Sequence, residues 1–152
     1  MRTLSCTAVA VALAVILAAA NLGGRAEYVG GTRADIPDGS GGSLEAIDSQ
    51  YFVFYSRKAS LRVPYDKINM LEYGQKVDRR YALAVVVSPL FLMSKKRSHF
   101  LTIEYTDDGG LEQALIFRVD KRDVRSILVS LEARTGLKIQ FQDEEARKAG
   151  KG

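Results

Sequence analysis

Apolar side chains along this chain recur at two different periods, and the change between them outlines the fold. From residue 44 onward they come in short runs, separated by Gly, Pro, Asp and Ser, with the two-residue repeat of half-buried strands. Leu44-Glu45-Ala46-Ile47 is a weak example, and the aromatic run Tyr51-Phe52-Val53-Phe54-Tyr55 a strong one. Ser56-Arg57-Lys58-Ala59-Ser60 can turn the chain back into Leu61-Arg62-Val63-Pro64-Tyr65. Pro64 lacks a ladder donor, which predicts that this strand lies at a sheet edge or ends there. Ile68 to Tyr73 forms a further short element closed by Gly74. The clearest hairpin follows: Leu101, Ile103 and Tyr105 alternate with polar residues up to Asp107-Asp108-Gly109-Gly110, beyond which Leu115, Phe117 and Val119 resume the alternation.

The period then lengthens. Val124, Ile127, Leu128 and Leu131 stand at i, i+3, i+4 and i+7, the stripe of an amphipathic helix. Asp120 is expected to cap it, so that it begins near Lys121, with Asp123 as the capping-box acid and Gly136 as its stop. Leu137, Ile139 and Phe141 return to strand alternation, and residues 142–152 read as a charged, flexible tail. Ahead of the strong strands, Tyr28-Val29-Gly30-Gly31-Thr32 suggests a short edge strand with a glycine kink. The run from Ala34 to Ser43, rich in Asp, Gly and Ser, suggests a flexible loop. That loop has neither the strand–loop–helix context nor the Lys-Ser/Thr of a phosphate cradle.

The first twenty residues follow another rule. Arg2, the apolar run Ala8 to Leu17 and the small residues Ala18-Ala19-Ala20 have the three-part form of a cleavable export leader, with a second cut possible after Ala26. The runner-up is an uncleaved N-terminal anchor. Export to the periplasm or the extracellular space, with membrane association as an option, is therefore expected. Cys6 is the single cysteine and lies before the hydrophobic run, so a mature chain would hold no disulfide, thiolate metal site or cysteine nucleophile. Residues 27–141 constitute one domain, long enough to bury a core without staples.

Composition changes the picture in the middle of the chain. Residues 57–97 hold 10 basic and 3 acidic side chains, against 2 basic and 5 acidic in residues 21–56. Within this section Tyr81 to Met93 is apolar throughout, broken by Pro89 and bracketed by Arg79, Arg80 and Lys95, Lys96, Arg97. Too short to span a bilayer as a helix, it is either a doubly buried core element or an apolar loop that dips into a membrane while the five cations meet anionic headgroups. The alternative for the charges is a solvated face. His99 is the only histidine, and no spacing of acids, serines or histidine forms a catalytic or metal-binding constellation, so no enzyme, cofactor or metal is expected. Export argues against a nucleic-acid partner and leaves an anionic lipid or an envelope protein.

Short strands closed by one amphipathic helix resemble the pleckstrin-homology-like (PH-like) superfold over residues 28–141. The stretches Tyr28-Val29-Gly30-Gly31-Thr32, Leu71-Glu72-Tyr73-Gly74-Gln75, Lys95-Lys96-Arg97-Ser98-His99-Phe100-Leu101-Thr102-Ile103 and Leu131-Glu132-Ala133-Arg134-Thr135-Gly136 are similar to those of small exported bacterial proteins with a PH-like domain and no assigned activity. The resemblance implies a mainly β fold: a sandwich or partly open barrel of about seven short strands, capped by the helix. It says nothing of activity; the residues themselves lead to the expectation of a non-catalytic exported binding module, or alternatively a structural or assembly domain of the cell envelope. The closing-helix tryptophan usual in pleckstrin-homology domains is missing, and the first strand–loop–strand unit offers Asp, Gly and Ser where their basic lipid-binding motif stands.

Overall fold

A computed structural model of the chain describes residues 23–78, 80, 86–87 and 98–151. Its strands are β1 (Gly23–Gly31), β2 (Ser40–Glu45), β3 (Tyr51–Ser56), β4 (Ser60–Pro64), β5 (Ile68–Gly74), β6 (Val86–Val87), β7 (His99–Thr106), β8 (Glu112–Val119) and β9 (Gln140–Phe141). Among the described residues the chain also forms the helices α1 (Val124–Thr135) and α2 (Glu144–Lys151). The fold is mainly β, with helix at the C-terminal end.

All the strands join one sheet in the order β4-β3-β2-β1-β8-β7-β5-β9, with β6 added to β1. Every pairing is antiparallel except that of β5 with β9. Consecutive strands β4 and β5 therefore stand six places apart, yet only the single 3-10 turn Tyr65–Lys67 joins them. Six steps of about 4.8 Å would separate them by about 29 Å in a flat sheet. Three linking residues reach roughly 14 Å. The sheet must curl to bring its ends together, although β4 and β5 do not pair among the described residues.

Curling gives the sheet an inside. Phe117 on β8 sits there with its ring 5.7 Å from Tyr28, 5.9 Å from Phe52 and 5.0 Å from Phe54, centroid to centroid. The apolar stripe of α1 covers this interior: Val124, Ile127, Leu128 and Leu131 are all buried in the same cluster. Each could contribute roughly 1.5–3 kcal/mol relative to an exposed side chain. A second, smaller cluster of Val29, Phe100, Ala114 and Ile116 lies apart from the interior one.

Several expectations need correction. The Tyr28–Thr32 region is no edge strand: β1 reaches back to Gly23 and is paired on both sides, by β2 and β8, with a bulge between Tyr28 and Gly30. Beyond the bulge β6 takes over from β2, pairing with Gly30 and Gly31. The later of the two cleavage positions would cut inside this strand, because Gly23–Ala26 pair with Glu45–Gly42. The glycine-rich run is a loop only as far as Gly39 (φ +79°); Gly41 and Gly42 belong to β2. Gly42 serves close approach rather than turning, since a Cβ there would lie 1.9 Å from the Tyr55 carbonyl oxygen.

The helix starts at Val124, not near Lys121. Asp120 shapes a turn instead, its carboxylate accepting the Arg122 N–H at 3.1 Å and its carbonyl the Asp123 N–H at 2.9 Å. Asp123 does not cap with its side chain; its carboxylate accepts the Arg25 N–H at 2.9 Å and ties the helix start to β1. Gly136 ends the helix in the left-handed conformation, φ +73°.

The C-terminal segment is α2 rather than a flexible tail. Asp143 accepts the Ala146 N–H at 2.7 Å, the bond of an N-cap. Ala146 is fully buried, and Gly150 fits where a Cβ would lie 2.8 Å from the Phe141 ring.

Adjacent glycines test the packing. Gly42→Ala is expected to lose roughly 1–3 kcal/mol through the clash with Tyr55. Gly41→Ala, with nothing within 4 Å of its Cβ, should stay within about 0.5 kcal/mol of the parent in urea denaturation.

Candidate functional site

Of the five candidate contact cations, Arg79, Lys95, Lys96 and Arg97 lie outside the described residues, as does most of the apolar run 81–93. Its Val86–Val87 portion is a strand on β1. Arg80 is described, and its guanidinium is engaged: it pairs with Glu72, and with Asp78 at 3.5 Å. Glu72 projects from β5 with its carboxylate only 6% exposed. It also accepts a 3.0 Å hydrogen bond from the Gln142 side-chain amide. A buried carboxylate is costly unless paired and hydrogen-bonded. Arg80 and Gln142 supply that compensation, so Glu72 holds both the start of the basic segment and the C-terminal strand against β5.

Sequence reasoning passed over Glu72. The available signal was an acid in the middle of the strand-forming stretch Asn69-Met70-Leu71-Glu72-Tyr73, but its partners stand 8 and 70 residues away.

Elsewhere on the sheet, β1, β2, β7 and β8 frame an open groove of about 610 Å³. Its charged rim is Arg25, Glu27, Arg118, Asp120 and Lys121, with His99 and Ser98 closing one side. Register explains the gathering: Ala26 and His99 both pair with Val119, and Glu27 pairs with Arg118. Glu27 and Arg118 form an ion pair, while Asp120 meets Arg25 at 3.5 Å and Arg122 at 3.3 Å. Lys121 is exposed beside them. Ser98 directly follows Lys95-Lys96-Arg97 in the sequence.

Among the described residues His99 bonds to no carboxylate. Its Nδ1 is 2.5 Å from the Tyr73 hydroxyl, and the rings stack at 6.1 Å. Burial pushes the Tyr73 hydroxyl up to about 12, so it keeps its proton beside the imidazole at neutral pH. Burial, and then the charge of Lys121, hold His99 below its ordinary pKa, with Asp120 opposing.

Among the described residues no group of three or more His, Cys, Asp or Glu could hold a metal ion. No described helix is long and apolar enough to cross a membrane. Neither a protein-family model nor a curated protein matches the chain.

With one histidine in the chain, its titration can be followed without assignment. The imidazole resonance should titrate below the ordinary histidine value. A depressed folded-state pKa means that stability from neutral His99 is present above the unfolded pKa and is lost as pH falls through the folded one. The parent should lose stability relative to His99→Gln as pH drops from about 7 to about 5. An imidazole titrating at or above the free value would refute the assignment.

Proposed function

We propose that this chain is an exported, non-catalytic binding module of PH-like topology that attaches peripherally to an anionic membrane surface. The observation that carries this reading is the groove bordered by Arg25, Arg118 and Lys121, to which the chain leads directly from Lys95-Lys96-Arg97. Cations on a shared surface attract a negatively charged plane additively, each contributing about 1 kcal/mol close to the headgroups. Glu27 and Asp120 compensate part of the charge in the groove, so the lysines and arginines of the preceding segment provide most of the attraction.

The topology supports the PH-like assignment. β1 to β4 run as one meander, β5, β7 and β8 as another, the two join through β1 and β8, and α1 follows. On this reading the seven longer strands make up the domain, and β6 and β9 are additions of two residues each. Leader cleavage after Ala20 would leave β1 intact. Engagement of His99 by Tyr73, rather than by a nucleophile or an acid, supports a non-catalytic role. Arg80 acts here through Glu72 rather than as a headgroup contact.

Co-sedimentation with phosphatidylglycerol-containing and pure phosphatidylcholine vesicles tests the proposal. Binding should require the anionic lipid and weaken with salt. Changing Arg79, Lys95, Lys96 and Arg97 together to Gln should reduce it roughly a hundredfold or more. Arg80→Gln should chiefly lower stability. Absence of binding at low salt would reject membrane attachment and favour the alternative, a structural or assembly domain of the envelope whose partner is a protein.

A further inference from the structure

Among the residues that line the groove between β1, β2, β7 and β8, His99 is the one whose ordinary charge change falls close to neutral pH. It opens β7 opposite Val119 of β8, and it shares the groove with Arg25, Glu27, Arg118, Asp120 and Lys121. The ring is half-buried, so it stands between the interior and the open groove. Its Nδ1 meets the hydroxyl of Tyr73, a residue only 1% exposed, and β5 thereby holds one side of the imidazole. Among the described residues Nε2 has no hydrogen-bond partner.

Titratable and charged groups surround the ring from each neighbouring element. β5 supplies Tyr73, whose hydroxyl keeps its proton at neutral pH. Arg25 and Glu27 come from β1, Arg118 from β8, and Asp120 and Lys121 from the turn before α1. Both acids are committed elsewhere: Glu27 pairs with Arg118, and Asp120 with Arg25 and Arg122. Lys121 disfavours a charge on His99 and Asp120 favours it, each through space rather than by a hydrogen bond. An imidazolium at this position is therefore a positive charge without a direct acidic partner among the described residues. An anion brought to the groove from outside would be its counter-charge.

We infer that His99 makes attachment to an anionic lipid surface pH-dependent: its protonation adds a cation to the groove, and negatively charged headgroups hold the protonated form more tightly. The inference rests on the membrane reading proposed above and deepens it. Burial and Lys121 keep His99 below its ordinary pKa, so the ring is neutral at slightly alkaline pH and charges on acidification. One added charge close to the headgroups strengthens attachment about fivefold. Linkage requires the converse: a surface that prefers the imidazolium raises its proton affinity by the same factor.

The experiment is co-sedimentation with phosphatidylglycerol-containing vesicles at about pH 7.5 and about pH 5, at constant ionic strength, for the parent and His99→Gln. The parent should bind about fivefold more tightly at the lower pH, whereas His99→Gln should match the parent at the higher pH and change less than about twofold. Asp38, whose carboxyl burial raises, is present in both proteins, so its titration cannot produce a difference between them. A second measurement needs no variant: the imidazole resonance of the parent is titrated with phosphatidylglycerol-containing and with pure phosphatidylcholine bicelles. The anionic lipid should raise the midpoint by about 0.7 of a pH unit, the same fivefold factor. Attachment equally tight at both pH values, equal tightening in His99→Gln, or a midpoint indifferent to anionic lipid would each overturn the inference and leave membrane attachment standing. Absence of binding at either pH would reject the attachment itself, and the inference with it.

Discussion

The short connection between β4 and β5 is the constraint on which the rest of the architecture depends. Because Tyr65–Lys67 is too short to bridge a flat sheet, the two ends of the strand order must approach each other. The resulting curl surrounds Phe117 with the aromatic side chains of β1 and β3 and leaves one open side for α1 to cover. Pro64 closes β4 just before this connection, where a residue that cannot extend the ladder is tolerated. The same connection carries Tyr65 inward.

Polar groups then organise the two surfaces around that interior. Glu72 is the clearest instance, a buried carboxylate whose compensation requires both Arg80 and Gln142. Removing either partner leaves charge in a poorly solvated place, which is why the apolar segment's N-terminal flank and the C-terminal strand are bound to β5 together. The Tyr73–His99 pair is a counterpart, in which burial holds the imidazole below its ordinary pKa beside a groove that also carries Arg25, Glu27, Arg118, Asp120 and Lys121. Tyr65 stands apart, its buried hydroxyl having no hydrogen-bond partner among the described residues.

Much of the fold could be read from local pattern. The β7–β8 hairpin, the four-residue stripe of α1 and its Gly136 stop depend on neighbours within a few positions, and period and turn chemistry report these directly. Errors concentrated where one residue type serves two purposes. Gly42 has turn composition but is used for strand contact; Asp123 has cap composition but bonds to β1; the charged C-terminus has tail composition but buries Ala146. In each case a tertiary neighbour decides between roles that the local sequence leaves equivalent.

The site divides along the same line. Residue order alone established an apolar run set between two groups of cations, a lone histidine and the lack of a thiol beyond Cys6, since these are facts of composition and spacing. It could not show that Arg80 answers Glu72, that His99 answers Tyr73, or that Arg25 and Lys121 stand beside Arg118. Apart from Lys121 and Arg118, close neighbours in sequence, those relations join positions 8 to 93 residues apart, brought together by strand register and sheet curl. Charge and hydrogen bonding depend on distance in space, and only the folded sheet sets those distances.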